Sequence, residues 1–367
     1  MSKIKLIKIN IFLFLALLIG LNLVCFLIIN LFDRTNLDYS EERANLMGLT
    51  IDEHLQYQRD KEIFKLNYSS FDGWTNGMGT SEFFNIDENG HRFSFEGKGD
   101  SLILFFGGSL VWGHGNRDNT TIPSYLSKLS SKYNCINLSE VGFSSMQSIV
   151  SLVHQLNEFD KVAYVITIDG INDMNQYCGL NGRFDIHYRE NDYNKYLDEY
   201  ERNPYGPFGR NLINTTYQIF LENSYEVILR FKNKFIGVNN RINNHFICDK
   251  DLYSEVAARL LKNWQNMYGV CNNSNIKFIS ILQPNAHFTK SKKDGIQPYL
   301  FEVSKEHALV FYENTRSKMK ESKLDYIYDF TEVFDTFPNK QFFTDDCHVN
   351  HNGNEVIAQA IYKIMGN

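Results

Sequence analysis

The sequence lacks the features that mark several common classes of protein. Its six cysteines form no C-x-x-C pair, which argues against zinc-ribbon and thioredoxin-type sites. No basic stripe follows the extreme N-terminus and the formal net charge is −6, so we expect no nucleic-acid partner. The chain also contains no internal repeat and no low-complexity segment. What remains is a chain of ordinary globular composition, long enough to bury a core in one large domain or two small ones.

One long apolar run dominates the N-terminus. No charged residue occurs from Ile9 to Phe32, and a run of this length can cross a bilayer as a helix. Lys3, Lys5 and Lys8 precede it, so the positive-inside rule predicts a cytoplasmic tail, with the rest of the chain outside the cytoplasm. A cleaved signal peptide is the alternative. No A-x-A-like site follows Phe32, which favours an uncleaved single-pass anchor.

The cysteines give little information about redox chemistry. Cys25 lies inside the apolar run, and five others follow it in the chain. In an oxidising compartment Cys248 and Cys271 are one candidate disulfide pair. The odd number outside the apolar run leaves at least one thiol free.

Changes in composition divide the chain into three predicted segments. Residues 1–34 form the cytoplasmic tail and transmembrane anchor, and residues 35–99 form a polar stalk or accessory segment. In this second segment, Asn89-Gly90 lies between short apolar alternations, which is a hairpin signal. Residues 100–367 form the main domain. An insertion rich in Asn, Tyr and Arg interrupts it at about 179–250, with a predicted helix over Asn214–Lys232.

Strands and helices are predicted to alternate along the main domain. Short apolar runs predict strands at Leu102–Phe106, Cys135–Leu138, Val162–Ile168, Lys277–Leu282 and Tyr326–Asp329. Longer stretches predict helices at Ile122–Lys132, Ser145–Glu158, Leu252–Tyr268, Pro298–Ser322 and Gly353–Met365. Because the strands read as buried on both faces, this alternation predicts a parallel sheet flanked by helices. Ligands bind at the carboxyl ends of the strands in such sheets.

The first candidate functional residue is Ser109, which directly follows the first predicted strand and the pair Gly107-Gly108. The glycines allow a tight turn, and a helix beginning there would offer free N–H groups to an anion. That is the environment a nucleophilic serine needs. The structural alternative is a glycine-rich turn with a capping serine.

Two further candidates follow the second and third predicted strands. Gly142 could direct a backbone N–H into the same crevice, although a loop glycine is the simpler interpretation. Asn172, within Asp169 to Asp173, offers an amide donor there. Its structural alternative is a polar turn held by local hydrogen bonds.

The fourth candidate segment, Asp345-Asp346-Cys347-His348, lies just before the last predicted helix. A carboxylate and an imidazole three residues apart can meet in one turn, where the carboxylate fixes the imidazole tautomer and the imidazole takes a proton from a serine. A surface loop that caps the next helix is the alternative. His351 is the main competitor for the role of base, but its spacing from Asp346 suits direct pairing less well.

Taken together and in this order, the four segments resemble the four blocks of the SGNH (GDSL-type) hydrolase family. That family takes its name from Ser, Gly, Asn and His, matched here by Ser109, Gly142, Asn172 and His348. The G-x-N-D and D-x-x-H forms of the third and fourth blocks are both present. One departure is Gly108, where the family usually has Asp.

The resemblance implies a three-layer α/β/α sandwich with a parallel sheet of about five strands, flavodoxin-like in topology. It implies that Ser109 is the nucleophile, His348 the base and Asp345 the residue that orients the base. The backbone N–H groups of Ser109 and Gly142, with the Asn172 amide, would form the oxyanion hole. No metal or organic cofactor is expected for this chemistry.

These expectations lead to several functional hypotheses. The first is a membrane-anchored serine esterase that removes acyl groups, with acetyl expected, from envelope or secreted polysaccharide. A second uses the same acyl-enzyme to acylate a glycan hydroxyl. A third is a non-catalytic glycan-binding or scaffold protein on the same fold, and a lipase acting on bilayer lipid is a further option.

Overall fold

The computed structural model describes residues 3–35, 37–64, 66–69, 73–179, 221, 223–225, 227, 250–296 and 305–366. The chain divides into two compact units. One contains residues 1–39 and 189–245, and the other contains residues 40–188 and 246–367. Most of the predicted insertion, including most of the predicted helix Asn214–Lys232, lies outside the described residues.

The first unit contains a long N-terminal helix, α1 (Lys3–Thr35). Among the described residues it is the one helix long and apolar enough to cross a membrane, over Lys5–Ile29. Length and composition suit either an anchor or a signal sequence. Asn22 is the polar exception in this helix. Its buried side-chain oxygen accepts hydrogen bonds from the backbone N–H groups of Asn223 and Ser224, at 2.9 and 3.3 Å.

Two helices follow in the chain, α2 (Leu37–Met47), which belongs to the second unit from Ser40 onward, and α3 (Ile51–Ile63). A capping box begins α3: the Thr50 hydroxyl accepts from the Glu53 backbone N–H, and the Glu53 carboxylate accepts from the Thr50 backbone N–H. Residues 40–99 therefore belong to the same compact unit as the sheet described below.

Two short antiparallel pairs follow these helices. Strand β1 (Leu66–Ser69) pairs with β2 (Gly73–Asn76), and β3 (Gly79–Thr80) pairs with β4 (Asn85–Ile86). The chain then turns at Asn89-Gly90, with Gly90 at a φ of 85° and its N–H donating to the Asp87 carbonyl, as the sequence predicts.

Five strands form the parallel sheet that the sequence predicts. In chain order they are β5 (Ser101–Gly107), β6 (Tyr133–Asn137), β7 (Val162–Asp169), β8 (Lys277–Leu282) and β9 (Ile327–Asp329). Their spatial order is β6-β5-β7-β8-β9, and every neighbouring pair is parallel. The chain leaves β5 toward one edge and then crosses to the other side. The carboxyl ends of β5 and β7 therefore flank the switch point where ligands bind in such sheets.

Helices cover both faces of this sheet. They are α4 (Ser109–Trp112), α5 (Ile122–Leu129), α6 (Ser145–Gln155), α7 (Ile171–Gly179), α8 (Lys250–Asn273), α9 (Lys305–Ser322) and α10 (His351–Ile364). Along β5 the buried side chains alternate between faces. Ile103 and Phe105 join the core that contains α5 and α10, whereas Leu104 and Phe106 join the core that contains α6, α8 and α9. The predicted three-layer α/β/α sandwich with a flavodoxin-like strand order is thus confirmed.

Four cysteines are free thiols: Cys25, Cys135, Cys271 and Cys347. Cys271 is a buried free thiol in α8, and its predicted disulfide partner Cys248 lies outside the described residues. Cys135 and Cys347 are likewise free and buried. Cys135 and Cys271 pack in the apolar core, whereas the Cys347 Sγ lies 3.6 Å from His348 Nδ1.

Candidate active site

Ser109 lies at the first turn of α4, directly after β5, and its side chain is buried. Two glycines shape this turn. Gly107 has a φ of 134°, and a Cβ on it would lie 2.5 Å from the Ile168 carbonyl oxygen of β7. A Cβ on Gly108 would lie 2.1 Å from the Asn172 amide nitrogen. The chain therefore needs glycine at 107 for backbone conformation and at 108 for close approach.

Ser109 and His348 meet although 239 residues separate them in the sequence. The Ser109 Oγ lies 2.6 Å from His348 Nε2, and His348 Nδ1 lies 2.9 and 3.0 Å from the two oxygens of Asp345. Both His348 and Asp345 are buried, at 1% and 0% exposure. The structure thus brings together serine, imidazole and carboxylate in the arrangement of a hydrolase triad.

A compact loop before α10 holds the imidazole and the carboxylate. The Asp345 Oδ1 accepts the backbone N–H groups of Cys347 and His348, at 3.0 and 2.7 Å, and the Thr344 N–H donates to the His348 carbonyl at 2.9 Å. Asp345 therefore organises the loop as well as pairing with the imidazole.

His351, the competing candidate for the base, lies elsewhere. It is the first residue of α10, and a Cβ on Gly48 would come within 2.7 Å of its ring. Gly48 follows α2. The structure therefore pairs His348, and not His351, with the serine.

The sequence analysis missed three residues near this triad. Arg43 and His114 contact it directly, and Tyr57 contacts His114. Arg43 of α2 places Nη2 at 2.9 Å from Asp345 Oδ2 and Nη1 at 2.6 Å from the Thr344 carbonyl oxygen. The ring of His114, in the loop after α4, lies 4.6 Å from the ring of His348, and the Tyr57 hydroxyl of α3 lies 3.3 Å from His114 Nδ1. Arg43 and Tyr57 come from a segment that reads as a polar stalk, and no motif marks either of them.

Electrostatics favour an ionised Asp345 and a neutral His114. Burial by itself would raise the pKa of the Asp345 carboxyl. The His348 imidazole, the Arg43 guanidinium and the Cys347 backbone N–H outweigh burial and hold that pKa well below its ordinary value. Burial, followed by the nearby His348 imidazole, lowers the pKa of His114 well below its ordinary value. His114 therefore faces the triad without a charge.

The remaining sequence-predicted residues, Gly142 and Asn172, lie in two loops at the carboxyl ends of β6 and β7. Gly142 has a φ of 84° within a turn in which the Phe143 N–H donates to the Glu140 carbonyl, and the Glu140 N–H donates to the Gly107 carbonyl. The Asn172 amide donates to the Phe143 carbonyl at 2.8 Å and lies beside Gly108. Both loops therefore meet the chain next to Ser109.

A buried acidic pair fixes the helices that frame these loops. Asp173 accepts hydrogen bonds from the Ser145 backbone N–H and hydroxyl at the start of α6. Asp169 accepts from the Trp264 indole at 2.9 Å and from the Thr167 hydroxyl at 2.6 Å. Burial, together with the nearby Asp169 charge, raises the pKa of Asp173 to about 7. The pair ties α6, α7 and α8 together behind Asn172.

One group in the described chain has the spacing of a metal site: Asp345, Cys347 and His348 place potential ligand atoms within 4.8 Å of one another. The chemistry of these donors does not suit a metal. His348 Nδ1 already faces the Asp345 carboxylate. Burial also raises the pKa of the Cys347 thiol well above its ordinary value, whereas a metal needs the thiolate.

Comparison with known proteins identifies a family. The model of the family described as GDSL-like Lipase/Acylhydrolase matches residues 103–361. No curated protein matches. Solved structures similar to this chain include a lipolytic protein of the G-D-S-L family from Veillonella parvula, at 13% identity and a TM-score of 0.39, covering 73% of this chain and 99% of that one.

Two further structures give similar figures. A GDSL-like lipase from Bacteroides thetaiotaomicron is 13% identical, with a TM-score of 0.39, and the match covers 72% of this chain and 88% of that one. A carbohydrate acetylesterase from Sinorhizobium meliloti is 11% identical, with a TM-score of 0.39, and the match covers 73% of this chain and 99% of that one. The match to the family model spans most of the chain, from the first strand of the sheet to its last helix. The chain therefore belongs to the GDSL-like lipase/acylhydrolase family.

Proposed function

We propose that this acylhydrolase is a serine esterase that works through an acyl-enzyme on Ser109, with His348 as general base and Asp345 as the residue that orients it. The observation that carries the proposal is the continuous contact from the Ser109 hydroxyl through His348 to Asp345. A scaffold protein that had lost catalysis would not require all three side chains in hydrogen-bond contact. This counts against the non-catalytic alternative.

The chemistry proceeds in two steps. In the first, the Ser109 Oγ bonds to the ester carbonyl carbon while His348 Nε2 takes the hydroxyl proton. The tetrahedral intermediate then collapses, the bond to the leaving alcohol breaks, and His348 returns the proton to that alcohol. In the second step His348 takes a proton from water while the water oxygen attacks the acyl carbonyl carbon. This intermediate then collapses, the bond to Ser109 Oγ breaks, and His348 returns the proton to Ser109 as the carboxylic acid leaves. Asp345 stabilises the imidazolium that forms in each step.

The oxyanion of each intermediate needs preorganised donors. We assign this role to the backbone N–H groups of Ser109 and Gly142 and to the side-chain amide of Asn172. An amide nitrogen carries two N–H donors, so Asn172 can keep its bond to the Phe143 carbonyl and still offer the second to the substrate. Loss of one such donor costs about a hundredfold or more in rate.

The proposed substrate is an acylated polysaccharide, with acetyl as the acyl group. The apolar helix α1, acting as an uncleaved single-pass anchor with Lys3, Lys5 and Lys8 on the cytoplasmic side, would hold the esterase at the outer face of a membrane. Envelope or secreted glycans are the ester-bearing polymers within reach of that position. Transfer of the acyl group to a glycan hydroxyl uses the same acyl-enzyme and differs only in the final acceptor.

Turnover of a chromogenic acetyl ester, measured with and without added glycan acceptor, tests this proposal. We expect release of acetate that is independent of acceptor and absent in Ser109→Ala. Acetate release that falls as acetylated glycan accumulates would assign the chain to acyl transfer instead. Equal activity of the wild type and Ser109→Ala would remove the serine from the mechanism.

A further inference from the structure

The segment that follows the apolar helix in the chain reaches the catalytic pair from two sides. From α2, Arg43 contacts the Asp345 carboxylate. From α3, Tyr57 contacts His114, whose ring lies against the ring of His348. Neither residue falls in a block that carries the family resemblance, and both precede the region matched by the family model.

On the basis of the proposed esterase function, we propose that Arg43 is a positioning residue of this active site, with the Tyr57–His114 pair as its counterpart on the imidazole side. In this proposal the polar segment after the membrane helix is not a passive stalk. It supplies the side chains that set the orientation and the charge balance of Asp345 and His348.

The geometry of Arg43 suits this role. Its two terminal nitrogens bind the Asp345 carboxylate and the Thr344 carbonyl oxygen, one residue apart on the catalytic loop. Asp345 Oδ1 accepts two backbone N–H groups from its own loop, and Oδ2 accepts Arg43 Nη2 at 2.9 Å. His348 Nδ1 lies 3.0 Å from Oδ1 and 2.9 Å from Oδ2. Arg43 therefore restricts rotation of the Asp345 carboxylate group that pairs with the His348 imidazole.

Arg43 also sets the charge around the base. The ion pair is well shielded, with side-chain exposures of 13% for Arg43 and 0% for Asp345. In this low-dielectric setting, a carboxylate that lost its guanidinium partner would stabilise the imidazolium more strongly. A variant without the guanidinium would then need a higher pH to reach full activity. This consequence distinguishes an electrostatic role from a merely structural one.

The imidazole side is supported by neutral groups. The Tyr57 hydroxyl accepts the Gly115 backbone N–H at 3.0 Å and lies 3.3 Å from His114 Nδ1. Burial raises the pKa of the Tyr57 phenol, so the hydroxyl stays protonated. His114 is fully surrounded by protein and uncharged, so its ring can support His348 without repelling the imidazolium that forms during turnover.

Other titratable and charged groups also lie near Asp345 and His348 and contribute to the pH dependence of the site. In the described part of the chain, groups that interact electrostatically with the Asp345–His348 pair or with its direct neighbours lie on the catalytic loop, on α3, on the loop after α4 and on α9. They include Asp346, Cys347, Tyr57, Lys61, His114 and Tyr312. Lys61 is the one cation among them, and it acts on His114. Arg43 is the cation that directly contacts the carboxylate.

Removal of Arg43 need not detach α2. The Leu46 carbonyl accepts the Asn350 side-chain amide at 3.2 Å, and Ala44 and Met47 are buried on the same helix. These contacts are independent of the guanidinium, so the variant is expected to fold.

The experiment compares Arg43→Met and Arg43→Lys with wild type in the full-length chain in detergent micelles. Kinetic constants for a chromogenic acetyl ester are measured from pH 5 to pH 9. We expect Arg43→Met to lower kcat by roughly tenfold to a hundredfold with little change in KM, a smaller loss than the about 10⁴-fold expected when the triad carboxylate is disabled. The acidic limb of kcat/KM should move to higher pH by about half a unit or more. Arg43→Lys, which keeps the charge, should restore the position of the limb.

The matched control is Arg59→Met, which removes the same charge from the same segment. Arg59 lies on α3, and its guanidinium hydrogen bonds go to Gln56 on that helix. Tyr57→Phe, which loses the hydroxyl alone, should lower kcat without moving the limb. Thermal unfolding of each variant separates a loss of folded enzyme from a change in the folded site.

The possible results distinguish the positioning role of Arg43 from the proposed esterase function on which it rests. An active wild type, with Arg43→Met equal to Arg59→Met in rate and limb position, would overturn the role of Arg43 and leave the esterase function intact. A fall in rate at every pH with an unmoved limb would reduce Arg43 to a structural contact. A wild type that turns over no ester at any pH would overturn the proposed function, and the positioning role with it.

Discussion

Gly108 and Asn172 approach so closely that a Cβ on residue 108 would lie 2.1 Å from the amide nitrogen of residue 172. The family that this chain resembles usually has Asp at this position, whereas Gly108 leaves space there. The Asn172 amide occupies that space and donates to the Phe143 carbonyl at 2.8 Å.

We predict that Gly108→Ala displaces the Asn172 amide and lowers kcat by about a hundredfold, the loss expected for one oxyanion-hole donor. The effect on stability should be modest, since the nearest atom is the end of the Asn172 side chain and the φ of Gly108 is −90°. The added Cβ would also lie 3.2 Å from the Phe143 carbonyl oxygen. Steady-state kinetics and thermal unfolding of the variant measure the two effects. Unchanged kcat would show that Asn172 does not act in the reaction.

The two histidines of the C-terminal region give a second prediction. His348→Ala should lower kcat at least a thousandfold, because it removes the group in contact with Ser109 Oγ. His351→Ala should stay within about threefold of wild type, because its ring packs near Gly48 and does not reach the serine. Parallel ester assays of the two variants check this. Equal losses in both would contradict the assignment of the base.

Asp173 gives a prediction about pH and stability. Its ordinary pKa of 3.8 is raised to about 7 in the folded chain. Between these values the folded state binds a proton that the unfolded chain has released, so this group makes stability fall as pH rises through that window. We expect wild type to lose about 2 kcal/mol more than Asp173→Asn in unfolding free energy between pH 5 and pH 8.

Urea unfolding at the two pH values, in the same micelles, measures this difference. Asp294→Asn is the control, because Asp294 carries a carboxylate with 80% exposed side chain paired to Lys292. The control should follow wild type. Equal losses in wild type and Asp173→Asn would show that the Asp173 carboxyl does not hold a proton in the folded protein.

The sheet was predictable because its strands are buried on both faces. Runs such as Lys277–Leu282 carry enough apolar residues in succession to mark a central strand, and that strand matches its prediction at both ends. Helix ends were less accurate. Helix α5 stops at Leu129, three residues early, because the Ser130 hydroxyl accepts the backbone N–H groups of Lys132 and Tyr133 and starts a turn.

The start of the last helix differs for a similar reason. Helix α10 begins at His351, two residues before the predicted start, because the Asn350 side chain caps it by accepting the Gly353 N–H. Local side-chain hydrogen bonds of this kind compete with apolar periodicity, and periodicity alone does not reveal which will prevail.

Some residues of the candidate site could likewise be predicted from the sequence and others could not. Ser109, Gly142, Asn172 and the Asp345–His348 pair fall just after strands or in one tight turn, so motif and topology together bring them near one another. Arg43 reaches Asp345 across 302 residues of sequence. Nothing local to Arg43 indicates that contact, because it depends on how α2 packs in the folded unit.

The central claim is that the Ser109 hydroxyl, activated by His348, is the nucleophile of this acylhydrolase. Covalent labelling with a fluorophosphonate probe, followed by intact-mass and peptide mapping, tests it most directly. The account predicts one adduct, mapped to Ser109, in the wild type and none in Ser109→Ala. Equal labelling of both chains, or an adduct on another residue, would contradict it.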